Sequence, residues 1–164
     1  MPLLVLLAGD AARHLRDPAA SGLFGGITFG VHELGHLLFA FLGEFMGVAG
    51  GSLAQILVPV GAALLLAHHQ DYFGCAAAGA WLGSSLLDLA RYIGDARQAE
   101  LDLVSFGEST VHDWSYLLGR LGLLAHDLRI AAWTRGAAML VLAGSLLFGA
   151  WLCLRMAKSR LPGT

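Results

Sequence analysis

Residues 32–36 read His-Glu-Leu-Gly-His, so that two histidines four positions apart flank a glutamate. On an α-helix, positions i and i+4 differ by about 40° of rotation, and His32 and His36 therefore face the same side. Two imidazoles on successive turns can bind one zinc ion, and the glutamate after the first histidine can be the general base for a water molecule activated by that ion. In a chain of 164 residues with seven histidines, chance gives roughly 0.007 occurrences of this pattern. We predict that His32 and His36 bind a metal ion and that Glu33 is the catalytic base.

The surroundings of the motif strengthen this prediction. His32, Glu33 and His36 lie in the middle of an otherwise apolar stretch, and ionisable side chains inside a membrane span are costly enough to indicate function by default. A metal ion offsets that cost, because histidine ligands remain neutral and the glutamate gains a water molecule as its partner. The alternative is that the three side chains only form hydrogen bonds to neighbouring helices.

A catalytic zinc site usually has three protein ligands and one open position, so a third ligand is expected elsewhere in the chain. The candidates are His112 and Asp113 at the start of a short apolar helix, and Asp88 inside a later apolar stretch. The spacing leaves the choice between His112 and Asp113 open, and the one that is not the ligand is expected to support the site by hydrogen bonding. Each candidate also has a purely structural interpretation: Thr110 and Asp113 fit a capping box, and Asp88 fits a helical ion pair with Arg91.

The composition indicates an integral membrane protein. Hydrophobic residues make up 57% of the chain, charged residues only 13%, and the mean hydropathy is +0.67, whereas a soluble domain is about 25% charged. The net charge of −2 provides no basic surface for a nucleic-acid partner. The lipid bilayer is therefore the expected environment.

The apolar stretches predict the elements that must position the motif. Four of them approach the roughly 20 residues that a membrane span requires, and they cover about 21–42, 53–67, 72–92 and 130–154. A further apolar helix over about 114–125 is too short to span and is expected to be interfacial or re-entrant. The predicted fold is an all-α membrane protein, a single domain over 1–164 with about four transmembrane helices and this short helix.

Glycines on the first span predict how a neighbouring helix packs there. Gly22, Gly26 and Gly30 recur every four residues, and such a stripe of small residues lets another helix approach closely. By rotation the stripe lies on the side of the helix that carries Glu33. We therefore expect a closely packed helix to cover the motif on that side.

The motif, together with Gly50-Gly51-Ser52-Leu53-Ala54-Gln55 at the start of the second span, resembles the site-2-protease-like intramembrane zinc metalloproteases. It is more closely similar to the small bacterial membrane proteins grouped as M50-like peptidases. The resemblance covers about residues 24–60, and residues 111–124 are similar to a later segment of those proteins. The N-x-x-P-x-x-x-x-D-G segment, the usual source of the third ligand in the larger family, does not occur in this chain.

The resemblance implies a zinc cofactor held by His32 and His36, with Glu33 activating water to cleave peptide bonds within the membrane. It further implies a membrane-protein or peptide substrate and a location in the bacterial inner membrane. Two other functions fit the same residues: a membrane-bound zinc hydrolase of a lipid or small amide, and a non-enzymatic metal-binding or transport protein. In the transport alternative, metal binding would not depend on Glu33, but the scarcity of other intramembrane carboxylates besides Asp88 disfavours an ion pathway.

Overall fold

The computed structural model describes residues 2–17, 22–101 and 112–159. These residues form helices and no strand. The six α-helices are α1 (Pro2–Arg16), α2 (Gly25–Phe39), α3 (Glu44–His68), α4 (Tyr72–Gly94), α5 (Asp113–Arg120) and α6 (Asp127–Ser159). Short 3₁₀ turns at Ala40–Leu42 and Leu124–His126 extend α2 and lead into α6.

Four segments among the described residues are long and apolar enough to cross a membrane. They are Gly25–Leu42, Glu44–His68, Tyr72–Gly94 and Leu124–Ser159. The predicted all-α membrane architecture with four such helices is therefore confirmed.

Three helices differ clearly in length from the predicted ones. Helix α6 covers Asp127–Ser159 rather than about 130–154. The second span begins at Glu44 rather than near residue 53, because a glycine-rich stretch that is a poor helix former in isolation is held helical by packing against α2. The short helix ends at Arg120 rather than near residue 125. Shortly after it, Gly122 has a φ of 69°, a backbone conformation that glycine adopts without steric cost and that ends helices.

Helices α2 and α3 form a tight antiparallel hairpin. Gly43, with a φ of 99°, makes the reversal between them, and such a conformation is strained for any residue with a Cβ atom. Along the hairpin, a Cβ atom on Gly35 would collide with the backbone carbonyl of Gly50, and one on Gly50 would collide with that of Gly35. This mutual absence of side chains brings the α2 backbone against α3 and places the motif beside the first half of α3.

The apolar core lies between α1, α4 and α6. Helices α4 and α6 share the largest interface, and Gly79 and Gly83 of α4 face Ser145 and Leu142 of α6 with no room for a Cβ atom. Helix α1 packs on this pair through an apolar face. The buried side chains of this cluster are Leu7, Ala11, Ala80, Leu87, Ala138 and Leu142.

Helix α5 is docked on the carboxyl-terminal end of α4. Its Leu118, which is 2% exposed, packs with Leu89, Ile93 and Ala96 in a second apolar cluster. The docked face of α5 also contacts α3. These contacts bring the first residue of α5 to the part of α3 that lies beside α2.

Candidate metal centre

His32, His36 and Asp113 converge on one point between α2, α3 and α5. The Oδ2 atom of Asp113 lies 3.1 Å from Nε2 of His32 and 3.3 Å from Nε2 of His36. One ligand atom from each residue lies within 4.8 Å of the other two, so the group could hold a metal ion. Of the predicted third ligands, it is Asp113 that the fold brings to the two histidines.

The outward nitrogen of each imidazole is fixed by a hydrogen bond, which orients the ring. Nδ1 of His36 lies 2.9 Å from the carbonyl oxygen of Gly47, and because a carbonyl only accepts, this nitrogen carries the proton. Nδ1 of His32 lies 2.9 Å from Oε1 of Gln55, whose amide nitrogen donates to the carbonyl of Ser85 at 2.9 Å. That second bond fixes the amide orientation, so Nδ1 of His32 is also the donor. Both Nε2 atoms are therefore left as the metal-binding nitrogens.

Gly51 provides the space for an ion at this point. A Cβ atom at position 51 would lie 2.6 Å from Nε2 of His32 and 2.6 Å from Nε2 of His36. A zinc ion takes nitrogen ligands at about 2.0–2.1 Å, so the recess left by the missing side chain is next to where the ion has to sit. The donor set and this recess together fit a divalent metal ion.

Asp113 is held in its ionised form. Burial by itself would raise the pKa of this carboxyl group, but the neighbouring imidazoles of His32 and His36 outweigh burial and hold the pKa below its usual range. Carboxylate ligands bind metal ions in the deprotonated form. The aspartate is thus in the state that metal binding requires.

The other residues predicted for the site are placed differently. Glu33 follows His32 on α2, is partly buried, and is not one of the three grouped ligands. His112 caps the start of α5, where its Nδ1 accepts from the backbone N–H of Ser115 at 3.3 Å. Its Nε2 lies 3.3 Å from Oδ2 of Asp95, so the ring faces away from the three ligands.

Asp88 is engaged with a different helix. Its Oδ1 lies 3.0 Å from Nε2 of His14 on α1, and it is not part of the metal-ligand group. The predicted capping box depends on Thr110, which lies outside the described residues; within them, His112 is the residue that caps α5. Of the three glycines predicted to pack closely, Gly22 does so against α1, because an added Cβ atom there would lie 3.2 Å from Nδ1 of His14. The predicted close packing at Gly26 and Gly30 is wrong, because an added Cβ atom at either position would have no neighbour within 4 Å among the described residues.

Three residues support the site in roles that were not predicted from the sequence: Gly51, Gln55 and Tyr92. Gly51 and Gln55 lie in the segment that carries the family resemblance, but no role at the site was assigned to them. A signal for Gln55 was present, because a buried amide within an apolar span needs a hydrogen-bonding partner, and Gln55 is 6% exposed. Tyr92 accepts a hydrogen bond from the backbone N–H of Asp113 at 3.0 Å. No local pattern marks Tyr92, and none predicts the role of Gly51, since both act only through the packing of separate helices.

The chain matches no protein-family model, no curated protein and no solved structure. The chemistry of the site therefore rests on its own residues and geometry.

Proposed function

We propose that this protein is an intramembrane zinc metallopeptidase of the M50-like type in the bacterial inner membrane. The observation that carries the proposal is the convergence of two Nε2 atoms and one carboxylate oxygen beside the recess at Gly51. Three nitrogen and oxygen ligands leave the fourth tetrahedral position of zinc open, as catalytic zinc sites do. An Fe(II) site can use the same ligand types, but a glutamate directly after the first histidine favours zinc-dependent hydrolysis.

The chain's own residues would divide the work of hydrolysis. His32, His36 and Asp113 would hold the ion, and bound zinc would supply Lewis acidity toward a substrate carbonyl and toward water. Glu33 would take the proton from the attacking water and pass it to the leaving amine. Glu33 directly follows His32 in the sequence and lies outside the ligand group, which fits a base rather than a fourth ligand.

The position of the site supports a substrate within the membrane. His32, Glu33 and His36 all belong to the segment Gly25–Leu42, which is apolar enough to cross a membrane. A peptide bond attacked there has to enter the apolar environment of that helix. We therefore propose membrane-protein segments or apolar peptides as substrates.

The first experiment is metal analysis of detergent-purified protein. We expect about one zinc per chain in the wild type and loss of zinc in His32→Ala, His36→Ala and Asp113→Ala. His69→Ala is the matched control, because His69 is exposed at the end of α3 and its loss should leave the zinc content unchanged. A wild type that contains no metal even after zinc is supplied would refute the proposal, and iron in place of zinc would refute the assignment of the ion.

The second experiment separates catalysis from metal binding. Glu33→Gln should retain zinc while cleavage of membrane-embedded peptides in liposomes falls by about 10²–10⁴-fold, the contribution typical of a general base. A variant that still cleaves at the wild-type rate would remove Glu33 from the mechanism. A wild type that hydrolyses a lipid or small amide and no peptide would favour the alternative hydrolase.

A further inference from the structure

The third ligand comes from a helix that is remote in sequence from the other two. His32 and His36 share one helix, whereas Asp113 is the first residue of α5. A metal centre of this kind is complete only when α5 is docked in the correct position. What holds the start of α5 therefore determines the geometry of the site.

Tyr92 contacts this region on several sides. Its hydroxyl oxygen accepts the hydrogen bond from the backbone N–H of Asp113. Its ring centroid lies 4.3 Å from that of His112 and 6.2 Å from that of His32, which it meets at an angle of 64°. Tyr92 thus bridges the helix that provides two ligands and the helix that provides the third.

Asp95 contacts residues that come before and after residues 102–111 in the chain. Its carboxylate accepts the backbone N–H groups of Glu100 and Leu101, both at 3.1 Å. The same carboxylate faces Nε2 of His112 at 3.3 Å, and the side chain of His112 is 4% exposed. The Asp95 carboxylate therefore holds the residues before this segment by hydrogen bonds and lies against the residue directly preceding Asp113, whose Nε2 atom has no hydrogen-bond partner among the described residues.

We propose that Tyr92, Asp95 and His112 form a positioning network that places Asp113 against the two histidines and thereby sets the metal affinity of the site. The inference rests on metal binding by His32, His36 and Asp113, as the proposed function does, but not on peptidase activity. His112 has this role because its two ring nitrogens face Ser115 and Asp95 rather than the ligand cluster. None of the three network residues is assigned a contact with substrate or with the reacting atoms.

Tyr92→Phe is the most selective perturbation of the network. It keeps the aromatic ring against His112 and His32 and removes the oxygen that accepts from the Asp113 backbone. Loss of a residue that orients a metal ligand typically weakens metal binding by about 10–100-fold, and we expect a loss in this range. The matched control is Tyr72→Phe, because Tyr72 is at the exposed start of the same helix and should have no effect.

A double-mutant cycle tests whether Tyr92 acts through Asp113. Zinc affinity is measured by titrating zinc into the metal-free full chain in detergent, with and without Tyr92→Phe, in the wild type and in Asp113→Ala. In Asp113→Ala the two remaining histidine ligands should lose zinc on purification but still bind it weakly enough to be titrated at higher zinc concentrations. If Tyr92 acts by positioning Asp113, its roughly 10–100-fold effect should shrink to within about twofold once Asp113 is removed. The visible absorption spectrum of the Co²⁺-loaded protein should also change in Tyr92→Phe and remain unchanged in Tyr72→Phe.

A second variant examines the other side of the network. His112→Asn preserves an N-cap acceptor for α5 but removes the ring that faces Asp95 and Tyr92, so zinc affinity should again fall by about 10-fold or more. The positioning role would be overturned if Tyr92→Phe lowered the zinc affinity equally in the wild type and in Asp113→Ala. It would also be overturned if Tyr92→Phe and His112→Asn both kept the wild-type zinc affinity. In those cases the wild type still binds zinc and the proposed function stands, whereas a wild type without zinc would remove both.

Discussion

Replacing Gly51 by alanine should strongly weaken metal binding without unfolding the protein. The new methyl carbon would lie 2.6 Å from Nε2 of His32 and 2.6 Å from Nε2 of His36, although real Cβ atoms essentially never come closer than 3.0 Å to a neighbour. Both rings would have to retreat by several tenths of an ångström. Zinc sites hold their ligand distances within about 0.2 Å, so we expect zinc affinity to fall by at least about 100-fold, the upper end of what a displaced supporting residue costs.

The assay is zinc content and chelator competition on protein purified in detergent, with thermal unfolding in the presence of a chelator as the measure of folding. Gly61→Ala is the matched control on the same helix, because a Cβ atom there has no neighbour within 4 Å. It should bind zinc normally and unfold at the same or a higher temperature, since alanine favours a helix over glycine by about 1 kcal/mol. If Gly51→Ala binds one zinc per chain with wild-type affinity, the ion is not held between these two nitrogens beside α3.

Two further predictions concern stability. The hydrogen bond with Asp88 raises the pKa of His14 despite the opposing effect of burial. The stabilisation from this pair is therefore complete below the ordinary histidine pKa of about 6.5 and is lost as the pH rises through the higher pKa of the folded state. His14→Gln should flatten this fall in thermal stability between mildly acidic and alkaline pH. A wild type whose stability does not fall relative to His14→Gln over that range would contradict the pairing. Gly35→Ala should lower the free energy of unfolding by about 1–3 kcal/mol, because the new methyl group would meet the Gly50 backbone. Gly30→Ala on the same helix has open space and should leave the stability unchanged or slightly higher. Equal unfolding temperatures for the two variants would refute the close α2–α3 contact.

The sequence alone determined those features that depend on local spacing or on composition. The number of helices able to cross a membrane followed from apolar stretches of sufficient length, because a span must satisfy its own backbone and shield it with apolar side chains. The pairing of His32 and His36 followed from the helical repeat, since residues four apart on a helix share a face wherever that helix is placed.

Only the tertiary structure decided which residue completes the cluster. His112 and Asp113 are neighbours in sequence, and adjacent positions at a helix start point in different directions. Their roles depend on how α5 docks on α4, where His112 faces Asp95 and Asp113 faces the histidines. No local pattern contains that docking, because it is set by contacts between helices far apart in the chain.

The packing of the helices also decided which glycines allow two helices to approach closely. The sequence indicated Gly22, Gly26 and Gly30 as close-packing positions, but the structure leaves Gly26 and Gly30 open and brings α2 and α3 together at Gly35, Gly50 and Gly51 instead. A stripe of small residues shows that a helix can be approached closely, but not which face its neighbour takes. The rotation of α2 against α3 is a property of the packed hairpin, and that rotation places the two imidazoles over Gly51.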